Sequence, residues 1–289
     1  MNKKELKKFL MQRIPYIMNE YMFIKKMRYF CNLNSPKSFN EKIQWLKFNY
    51  YKDNVFITKC ADKYKVREYI IEKGLGNILV PLLGCWDDTK SIDFQKLPEK
   101  YVLKCNHGCG YNIICSNRSE MVERDIVLQL NKWLNEDFSL NVLEPQYKNI
   151  ERKIIAEKYL GNEILDYKFF CFSGKPEYMY ISRVTPNSNG RFKCHFWKCD
   201  GRPAEFTRTD ELFFEEDEKP ELPKAFDEMK NIASVLSKDF PFVRVDLFYV
   251  EGKIYFSELT FTPAAGMMPL EPKEWDRKLG DLIDLSKTR

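Results

Sequence analysis

The chain reads Val243-Arg-Val-Asp-Leu-Phe248 and then Tyr255-Phe-Ser-Glu-Leu-Thr-Phe-Thr-Pro263, two apolar runs that carry polar or charged residues at alternate positions. Alternation of this kind predicts two β-strands. Glu251-Gly252 lies between the runs and predicts a tight turn, so the strands are expected to pair as a hairpin. This hairpin is the part of the sequence that is most informative about the fold.

In such a hairpin Arg244 and Asp246 share one face, and Glu258 and Thr260 share one face of the facing strand. Asp246 and Glu258 can then lie side by side, with Arg244 near them. Inward-facing carboxylates suit Mg²⁺, which takes a few protein oxygens and shares its other positions with phosphates. The alternative is a charged ladder that faces solvent, although both carboxylates lie within strongly apolar strands.

A second informative stretch is Tyr101-Val-Leu-Lys-Cys-Asn-His-Gly-Cys-Gly-Tyr-Asn112. It predicts a strand, a loop with two glycines, and a second strand. Glycines allow backbone N–H groups to approach phosphate oxygens, and Lys104 supplies a positive charge beside them. His107 also lies on this loop. The alternative is an edge lysine that precedes an ordinary hairpin turn.

The third stretch is Ile154-Ile-Ala-Glu-Lys-Tyr-Leu160, which reads as a buried strand with a charged end. Glu157 at that end can present backbone groups to an adenine edge. Asp166 or Glu163 can bind ribose hydroxyls, and Lys168 can bind a phosphate. The alternative is a charged strand end whose side chains are solvated.

Composition places the chain among ordinary globular proteins, with 289 residues, 44% hydrophobic and 31% charged. Helical patterns over 39–50, 62–73, 121–135 and 223–240 are interspersed with predicted hairpins rather than in βαβ alternation, which indicates an α+β class. A short run over 78–83 predicts a further strand. Nine cysteines without a paired pattern suit a reducing compartment better than a disulfide framework.

The N-terminal segment carries most of the net charge. Residues 1–30 hold eight basic and two acidic residues, +6, so the total of +5 leaves −1 for the rest, which argues against a nucleic-acid partner. A helical stripe is formed by Leu6, Leu10, Ile14, Ile17, Tyr21 and Ile24. A basic amphipathic helix fits contact with an anionic membrane. A helical hairpin packed on the main body is the simpler alternative and the one we favour.

Taken together, the stretches resemble the TupA-like ATP-grasp family, which is associated with bacterial cell-surface polysaccharide genes. The resemblance runs from about Pro36 to about Met268. It is carried by Ser38-Phe-Asn-Glu-Lys-Ile-Gln-Trp45, Ala61-Asp-Lys-Tyr-Lys-Val-Arg-Glu68, Leu97-Pro-Glu-Lys-Tyr-Val-Leu-Lys104, Asp166-Tyr-Lys-Phe-Phe-Cys-Phe172 and Val243-Arg-Val-Asp246.

The resemblance implies an ATP-grasp fold of α+β class, with a nucleotide held between two α+β lobes and the glycine loop as a lid. The implied parts are a basic amphipathic helical segment (1–35), an N-terminal lobe (36–100), a glycine-loop lobe (101–160) and a C-terminal lobe with the metal site (161–289).

The resemblance also implies roles for single residues. Arg244, Lys104 and Lys168 would be catalytic, by contacting phosphates or stabilising charge on the transferred group. The implied ATP-binding residues are Lys104, His107, Gly108, Gly110, Glu157, Lys158, Tyr159, Leu160, Asp166 and Lys168. The implied Mg²⁺ ligands are Asp246, Glu258 and Thr260. Many ATP-grasp enzymes have an asparagine where Thr260 stands, so a hydroxyl replaces an amide oxygen here.

The expected activity is an ATP-dependent carboxylate–amine ligase that forms an amide through an acyl phosphate and releases ADP. The acceptor would be a bacterial surface polysaccharide, such as a capsule, or its precursor. The expected location is the cytoplasm, at the inner face of the membrane if residues 1–30 bind it. One alternative is a glycosyltransferase, although the chain lacks an Asp-x-Asp motif and offers only the adjacent pair Asp87-Asp88. The other is a non-catalytic nucleotide-binding protein, which Thr260 suggests.

Overall fold

The computed structural model describes residues 3–162, 164–184 and 191–288. Its helices are α1 (Lys3–Arg13), α2 (Pro15–Met27), α3 (Phe39–Leu46), α4 (Val55–Ala61), α5 (Val66–Glu72), α6 (Glu123–Leu134), α7 (Phe226–Ser237) and α8 (Glu274–Asp281). Its strands are β1 (Leu82–Trp86), β2 (Tyr101–Cys105), β3 (Asn112–Cys115), β4 (Ile154–Lys158), β5 (Asp166–Phe172), β6 (Lys175–Val184), β7 (Phe192–Lys198), β8 (Thr207–Arg208), β9 (Leu212–Phe213), β10 (Phe242–Val250), β11 (Lys253–Thr260) and β12 (Leu270–Glu271).

The strands form a large sheet, a small sheet and one short ribbon. The large sheet has the order β11-β10-β5-β6-β7-β9 and is antiparallel except for the β7–β9 pair. The small sheet has the order β1-β4-β2-β3 and is antiparallel throughout. β12 and β8 form the ribbon. Helices and antiparallel sheets are therefore combined without βαβ units, which confirms the predicted α+β class.

Each sheet has its own apolar core. The large sheet packs against α3, α4, α5, α7 and α8, and α6 covers the small sheet. The helices that precede the small sheet, within residues 36–100, thus share the core of the large sheet, which lies far later in the chain. α3 illustrates the local cause: Ser38 and Glu41 form a capping box, and Phe39, Ile43 and Leu46 are fully buried.

α1 and α2 follow one another with only Ile14 between them, and together they are named here the N-terminal hairpin. Its inner side is formed by Met11, Asn19 and Phe23, each 1% exposed or less. Phe23 packs in a small cluster with Ala265 and Met267, on the loop that follows β11. The predicted stripe lies on another side, where Ile17 is 65% and Tyr21 60% exposed. The hairpin therefore packs on the body, but not through the stripe that the periodicity singled out.

Two element boundaries differ from the sequence predictions. The strand predicted at 78–83 lies at Leu82–Trp86, because Gly76–Ile78 forms a 3₁₀ turn first. The helix predicted from Asp62 begins at Val66, because the Asp62 carboxylate accepts hydrogen bonds from the Tyr64 and Lys65 N–H groups in a turn. Among the described residues, no helix combines the length and the apolar character that crossing a bilayer requires.

Candidate active site

The β10–β11 hairpin brings together the charged residues that the sequence analysis singled out. Asp246 lies directly opposite Glu258, and Arg244 lies opposite Thr260, which confirms the predicted pairing. The register shifts between Asp246 and Leu247, so β11 carries an extra residue just before Glu258. A bulge of this kind changes the direction of the neighbouring side chains and is common beside functional sites.

Asp246 is fully buried and is held by two cations. Arg244 donates from Nε to Oδ1 (2.7 Å) and from Nη2 to Oδ2 (2.6 Å), and Lys168 Nζ donates to Oδ2 (2.9 Å). Burial alone lowers the pKa of Lys168, but Asp166 and Asp246 outweigh it and raise that pKa above its ordinary value. The same balance, with Asp246 as the main partner, raises the pKa of Arg244. Lys168 and Arg244 are therefore charged at neutral pH.

Glu258 is partly exposed and is surrounded by positive charge. Lys63 Nζ lies 3.2 Å from Oε2, and Arg244 Nη2 lies 3.5 Å from Oε1. The Thr260 hydroxyl donates to Oε1 at 3.0 Å and accepts from Arg244 at 2.9 Å. Burial alone raises the pKa of Glu258, but Lys63, Lys168 and Arg244 outweigh it and hold the pKa well below its ordinary range.

Lys63 is a site residue that sequence reasoning missed. It lies on the connector between α4 and α5, and its N–H donates to the carbonyl of Asn106, the first residue after β2. The buried Asn106 side chain in turn donates to the Asp62 carboxylate at 2.8 Å. These contacts fix the connector to the glycine loop and aim Lys63 at Glu258. The sequence motif over Ala61–Glu68 contains Lys63 and contributed to the family resemblance, but a local motif does not predict which distant residue Lys63 contacts.

A first cavity of about 930 Å³ lies between the two sheets. It is lined by the predicted residues Lys104, Glu157, Lys158, Tyr159, Leu160 and Asp166, together with apolar Val80, Val102 and Phe248. Lys104 Nζ lies 2.6 Å from Glu157 Oε2, and Arg67 lies 3.5 Å from Oε1 of the same carboxylate. A cleft with apolar walls and a few convergent polar groups is the usual form of a cofactor site. Glu163, the alternative ribose contact, lies outside the described residues.

The glycine loop between β2 and β3 does not bring its predicted residues to this cavity. His107 is buried: Nε2 lies 3.1 Å from the Trp133 carbonyl oxygen, and its ring packs edge-on to Tyr111. Burial lowers the pKa of His107. Gly108 is packed so closely that a Cβ there would lie 2.7 Å from the Phe138 ring, and Gly110 has a φ of +74°. The loop conformation thus depends on both glycines. None of the three residues, His107, Gly108 and Gly110, lines the first cavity.

A second cavity, of about 760 Å³, lies on the other side of the hairpin residues. Lys168, Arg244, Glu258 and Thr260 line it, together with the aromatic side chains of Phe138, Tyr147, Tyr180 and Phe192. Glu144 also lines it, although it is 8% exposed; it accepts a hydrogen bond from the Thr262 hydroxyl at 2.6 Å. Burial raises the pKa of Glu144. Glu144 is a further residue that no sequence pattern indicated.

Asp166 lines both cavities, so they meet at the start of β5. Its carboxylate lies 3.3 Å from Lys168 Nζ, and burial raises its pKa. The residues around this junction combine three cations, Lys63, Lys168 and Arg244, with the carboxylates of Asp166, Asp246 and Glu258. A molecule in one cavity could therefore exchange a charged group with a molecule in the other.

The family model described as TupA-like ATPgrasp matches residues 41–284, most of the chain. The chain belongs to the TupA-like ATP-grasp family. Membership confirms the predicted family and the ATP-grasp fold, and it supports ATP-dependent ligation as the chemistry of this enzyme. No curated protein matches the chain in sequence.

Solved structures with a related chain path include three ligases. D-alanine–D-alanine ligase from Bacillus anthracis, in complex with ATP, is 16% identical with a TM-score of 0.46, over 80% of this chain and 66% of that one. L-amino acid ligase from Bacillus licheniformis is 15% identical with a TM-score of 0.44, over 73% and 45%. D-alanine–D-alanine ligase from Helicobacter pylori is 14% identical with a TM-score of 0.46, over 86% and 70%. The chain spans less than two thirds of the length of the first two.

In this TupA-like protein, the two carboxylates predicted to hold Mg²⁺ are adjacent and provide oxygen donors of the kind that Mg²⁺ prefers. Both carboxylates pair with lysine or arginine side chains. The described residues contain no group of three acidic, histidine or cysteine side chains that could hold a metal ion. The acidic pair considered for a glycosyltransferase has other contacts. Asp87 pairs with Lys153, and Asp88 accepts from Ser91 at the start of a 3₁₀ turn.

Proposed function

We propose that this enzyme is an ATP-dependent carboxylate–amine ligase that forms an amide through an acyl phosphate. The observation that carries the proposal is the junction at Asp166, where two cavities meet beside Lys63, Lys168 and Arg244. The first cavity is of a size and character suited to ATP, and the second would take the carboxylate and the amine. The cations lie where the negative charge of a transferred phosphoryl group would develop.

In the first step, an oxygen of the substrate carboxylate attacks the γ-phosphorus of ATP. The bond from that phosphorus to the β,γ-bridging oxygen breaks, and ADP leaves with the electron pair. Lys104 would hold the nucleotide phosphates, and Arg244 and Lys168 would stabilise the charge that spreads over the transferred group. In the free enzyme both cations are charged and are held at the junction by Asp246.

In the second step, the amine nitrogen attacks the carbonyl carbon of the acyl phosphate. The carbon–oxygen bond to phosphate breaks, inorganic phosphate leaves, and the nitrogen loses a proton to give the amide. The chain needs no nucleophile of its own for this route, and it contributes mainly by positioning and charge stabilisation.

Asp246 and Glu258 would hold Mg²⁺, with Thr260 beside them. Their carboxylate oxygens fit that ion, whose chemistry is to neutralise the charge of the ATP phosphates. Their present partners are cations, which can turn to the phosphates when the nucleotide is bound. The site in the described residues is therefore consistent with one Mg²⁺ and needs substrate oxygens to complete it.

We also propose that the acceptor is a bacterial surface polysaccharide or a precursor of it, and that the enzyme works in the cytoplasm at the inner face of the membrane. Support for a glycan comes from the second cavity, which is lined by the aromatic side chains of Tyr147, Tyr180 and Phe192 together with hydroxyl and charged groups. Such a lining suits the apolar face and polar edge of a sugar ring. Support for the location comes from the nine cysteines, none of which forms a disulfide, and from the positive charge of residues 1–30.

The test is a product assay with Mg-ATP and a panel of glycan carboxylates paired with amino acids or other amines. Release of ADP and phosphate that depends on both acceptors is the expected result. Formation of AMP and pyrophosphate would overturn the acyl-phosphate route. Sugar transfer from a nucleotide sugar without ATP would assign the glycosyltransferase alternative. Tight ATP binding without turnover across the panel would favour the non-catalytic one.

A further inference from the structure

The outward side of the N-terminal hairpin carries an apolar surface that folding leaves uncovered. Four apolar side chains of the predicted stripe are exposed, and we name them the outer stripe: Leu6 (43%), Ile14 (37%), Ile17 (65%) and Tyr21 (60%). The hairpin is already fixed to the body through its inner side, where Phe23 is buried. Exposed apolar side chains that recur at helical spacing are typical of an interaction surface.

Positive charge flanks the outer stripe. Arg13, Lys25 and Arg28 are exposed beside it, and residues 1–30 together carry +6 while the rest of the chain carries −1. An apolar stripe with basic borders fits a lipid surface with anionic headgroups, where the side chains enter the acyl boundary and the cations meet phosphates. A second copy of this chain would offer the same positive charge and would be repelled.

We propose that the outer stripe is a docking surface for an anionic phospholipid bilayer, and that docking sets the mouth of the second cavity on that bilayer. The second half of the proposal rests on α2, which contributes Met22, Lys25 and Lys26 to the lining of the second cavity. Lys26 also pairs with Asp210 of the cavity wall at 3.0 Å.

The geometry of α2 connects the two surfaces. Successive residues of α2 are rotated by about 100° around the helix axis. Around that axis Tyr21 lies about 40° from Ile17, Lys25 about 80° and Met22 about 140°, all in the same direction. Lys25 thus lies on the border between the outer stripe and the cavity mouth. A bilayer in contact with the stripe would therefore adjoin the mouth. If the second cavity is the acceptor site of the proposed ligase, its acceptor is a molecule attached to the membrane; docking itself does not depend on the ligase assignment.

The experiment is vesicle flotation with the full-length protein and no nucleotide. The probes are vesicles of equal parts phosphatidylglycerol and phosphatidylcholine, and vesicles of phosphatidylcholine alone. The test variant combines Ile17→Ser with Tyr21→Ser. The matched control combines Val55→Ser with Ile71→Ser, which removes two apolar side chains of similar exposure, 82% and 60%, on the separate helices α4 and α5.

We expect the wild type and the control to float with the anionic vesicles, to bind less as salt is raised, and to stay unbound to phosphatidylcholine alone. The test variant should bind about tenfold more weakly or worse. Equal binding by the test variant, or no binding by the wild type, would overturn the docking surface. A dimer in sedimentation equilibrium that the test variant abolishes would assign the stripe to a second copy and would also overturn it.

The orientation is tested by hydrogen exchange on the same vesicles. Slower exchange is expected in peptides that cover residues 14–28 and 208–216, at the cavity mouth, and unchanged exchange in peptides that cover 55–72. Slower exchange in residues 14–28 but not in residues 208–216 would support docking of the outer stripe. It would refute the proposal that the cavity mouth lies on the bilayer. Neither outcome involves ATP, so a failure here is distinct from a failure of the ligase assignment, which the product assay decides.

Discussion

Lys63 and Glu258 are 195 residues apart in the chain, yet the Lys63 ammonium lies 3.2 Å from the Glu258 carboxylate. This ion pair joins the helical connector after α4 to the hairpin of the large sheet. The same connector is bonded to the glycine loop through Asp62 and Asn106. These two contacts therefore link three separately encoded parts of the candidate active site, and the ion pair helps to lower the pKa of the carboxylate proposed to hold Mg²⁺.

Nucleotide binding should raise the melting temperature of the wild type. At a Mg-ATP concentration about 100 times the dissociation constant, the expected increase is about 4–5 °C, because the ligand stabilises only the folded state, by about 2.7 kcal/mol. Lys104→Ala should lose the increase, and Glu258→Gln should lose its dependence on Mg²⁺. Lys96→Ala, at an 85% exposed side chain outside the cavity, is the control and should shift like the wild type. A normal shift in Lys104→Ala would refute the first cavity as the nucleotide site.

Replacing Lys63 should lower the affinity of the enzyme for ATP more than its affinity for ADP. Lys63→Ala removes a cation from the junction, so ATP affinity is expected to fall about tenfold, while ADP affinity changes little. Isothermal titration calorimetry with each nucleotide measures both. Lys65→Ala removes a neighbouring lysine that pairs with exposed Glu151 and should leave both affinities unchanged. Equal losses for ATP and ADP would show that Lys63 acts on the fold of the connector instead.

Asp246 should be essential for stability. Asp246→Ala leaves Arg244 and Lys168 buried without their partner, so the free energy of unfolding should fall by about 3–5 kcal/mol. Urea unfolding measures the change. Asp200→Ala breaks an exposed arginine pair with the same spacing, Arg202–Asp200, and should leave the free energy of unfolding nearly unchanged. A small effect at Asp246 would contradict the view that the buried cations depend on this carboxylate.

The pH dependence of stability should differ in sign between Glu258 and Glu144. The folded-state pKa of Glu258 is depressed, so its contribution is present above the unfolded-state value of about 4.3 and is lost as pH falls below it. The advantage of wild type over Glu258→Gln should shrink across that range. The folded-state pKa of Glu144 is raised, so its ionised form costs stability as pH rises above the unfolded-state value.

The free energy of unfolding of Glu144→Gln should accordingly rise relative to that of the wild type as the pH is raised. The free energy of unfolding of Glu258→Gln should instead fall relative to that of the wild type. Urea unfolding at a series of pH values between about 2 and 7 compares the three proteins. Parallel curves for both variants would contradict the opposed charge environments of the two carboxylates.

The sequence by itself determined the β10–β11 hairpin, because alternation and a Glu-Gly turn are local signals and a period of two fixes which residues share a face. It also determined the α+β class and, through ordered motifs, the family. Lys104 and Glu157 were singled out in the same way, since each lies on a strand pattern that is readable without the rest of the chain.

The tertiary structure alone decided what surrounds these residues. Lys63 and Glu144 reach the site from connectors whose direction is set by contacts with distant elements, and no local period encodes such contacts. His107 shows the same limit: its position on a glycine loop is local, but its burial against Trp133 is not. Periodicity showed that the N-terminal hairpin has an apolar stripe, yet only packing decided that Phe23 and Asn19 face the body while Ile17 and Tyr21 face solvent.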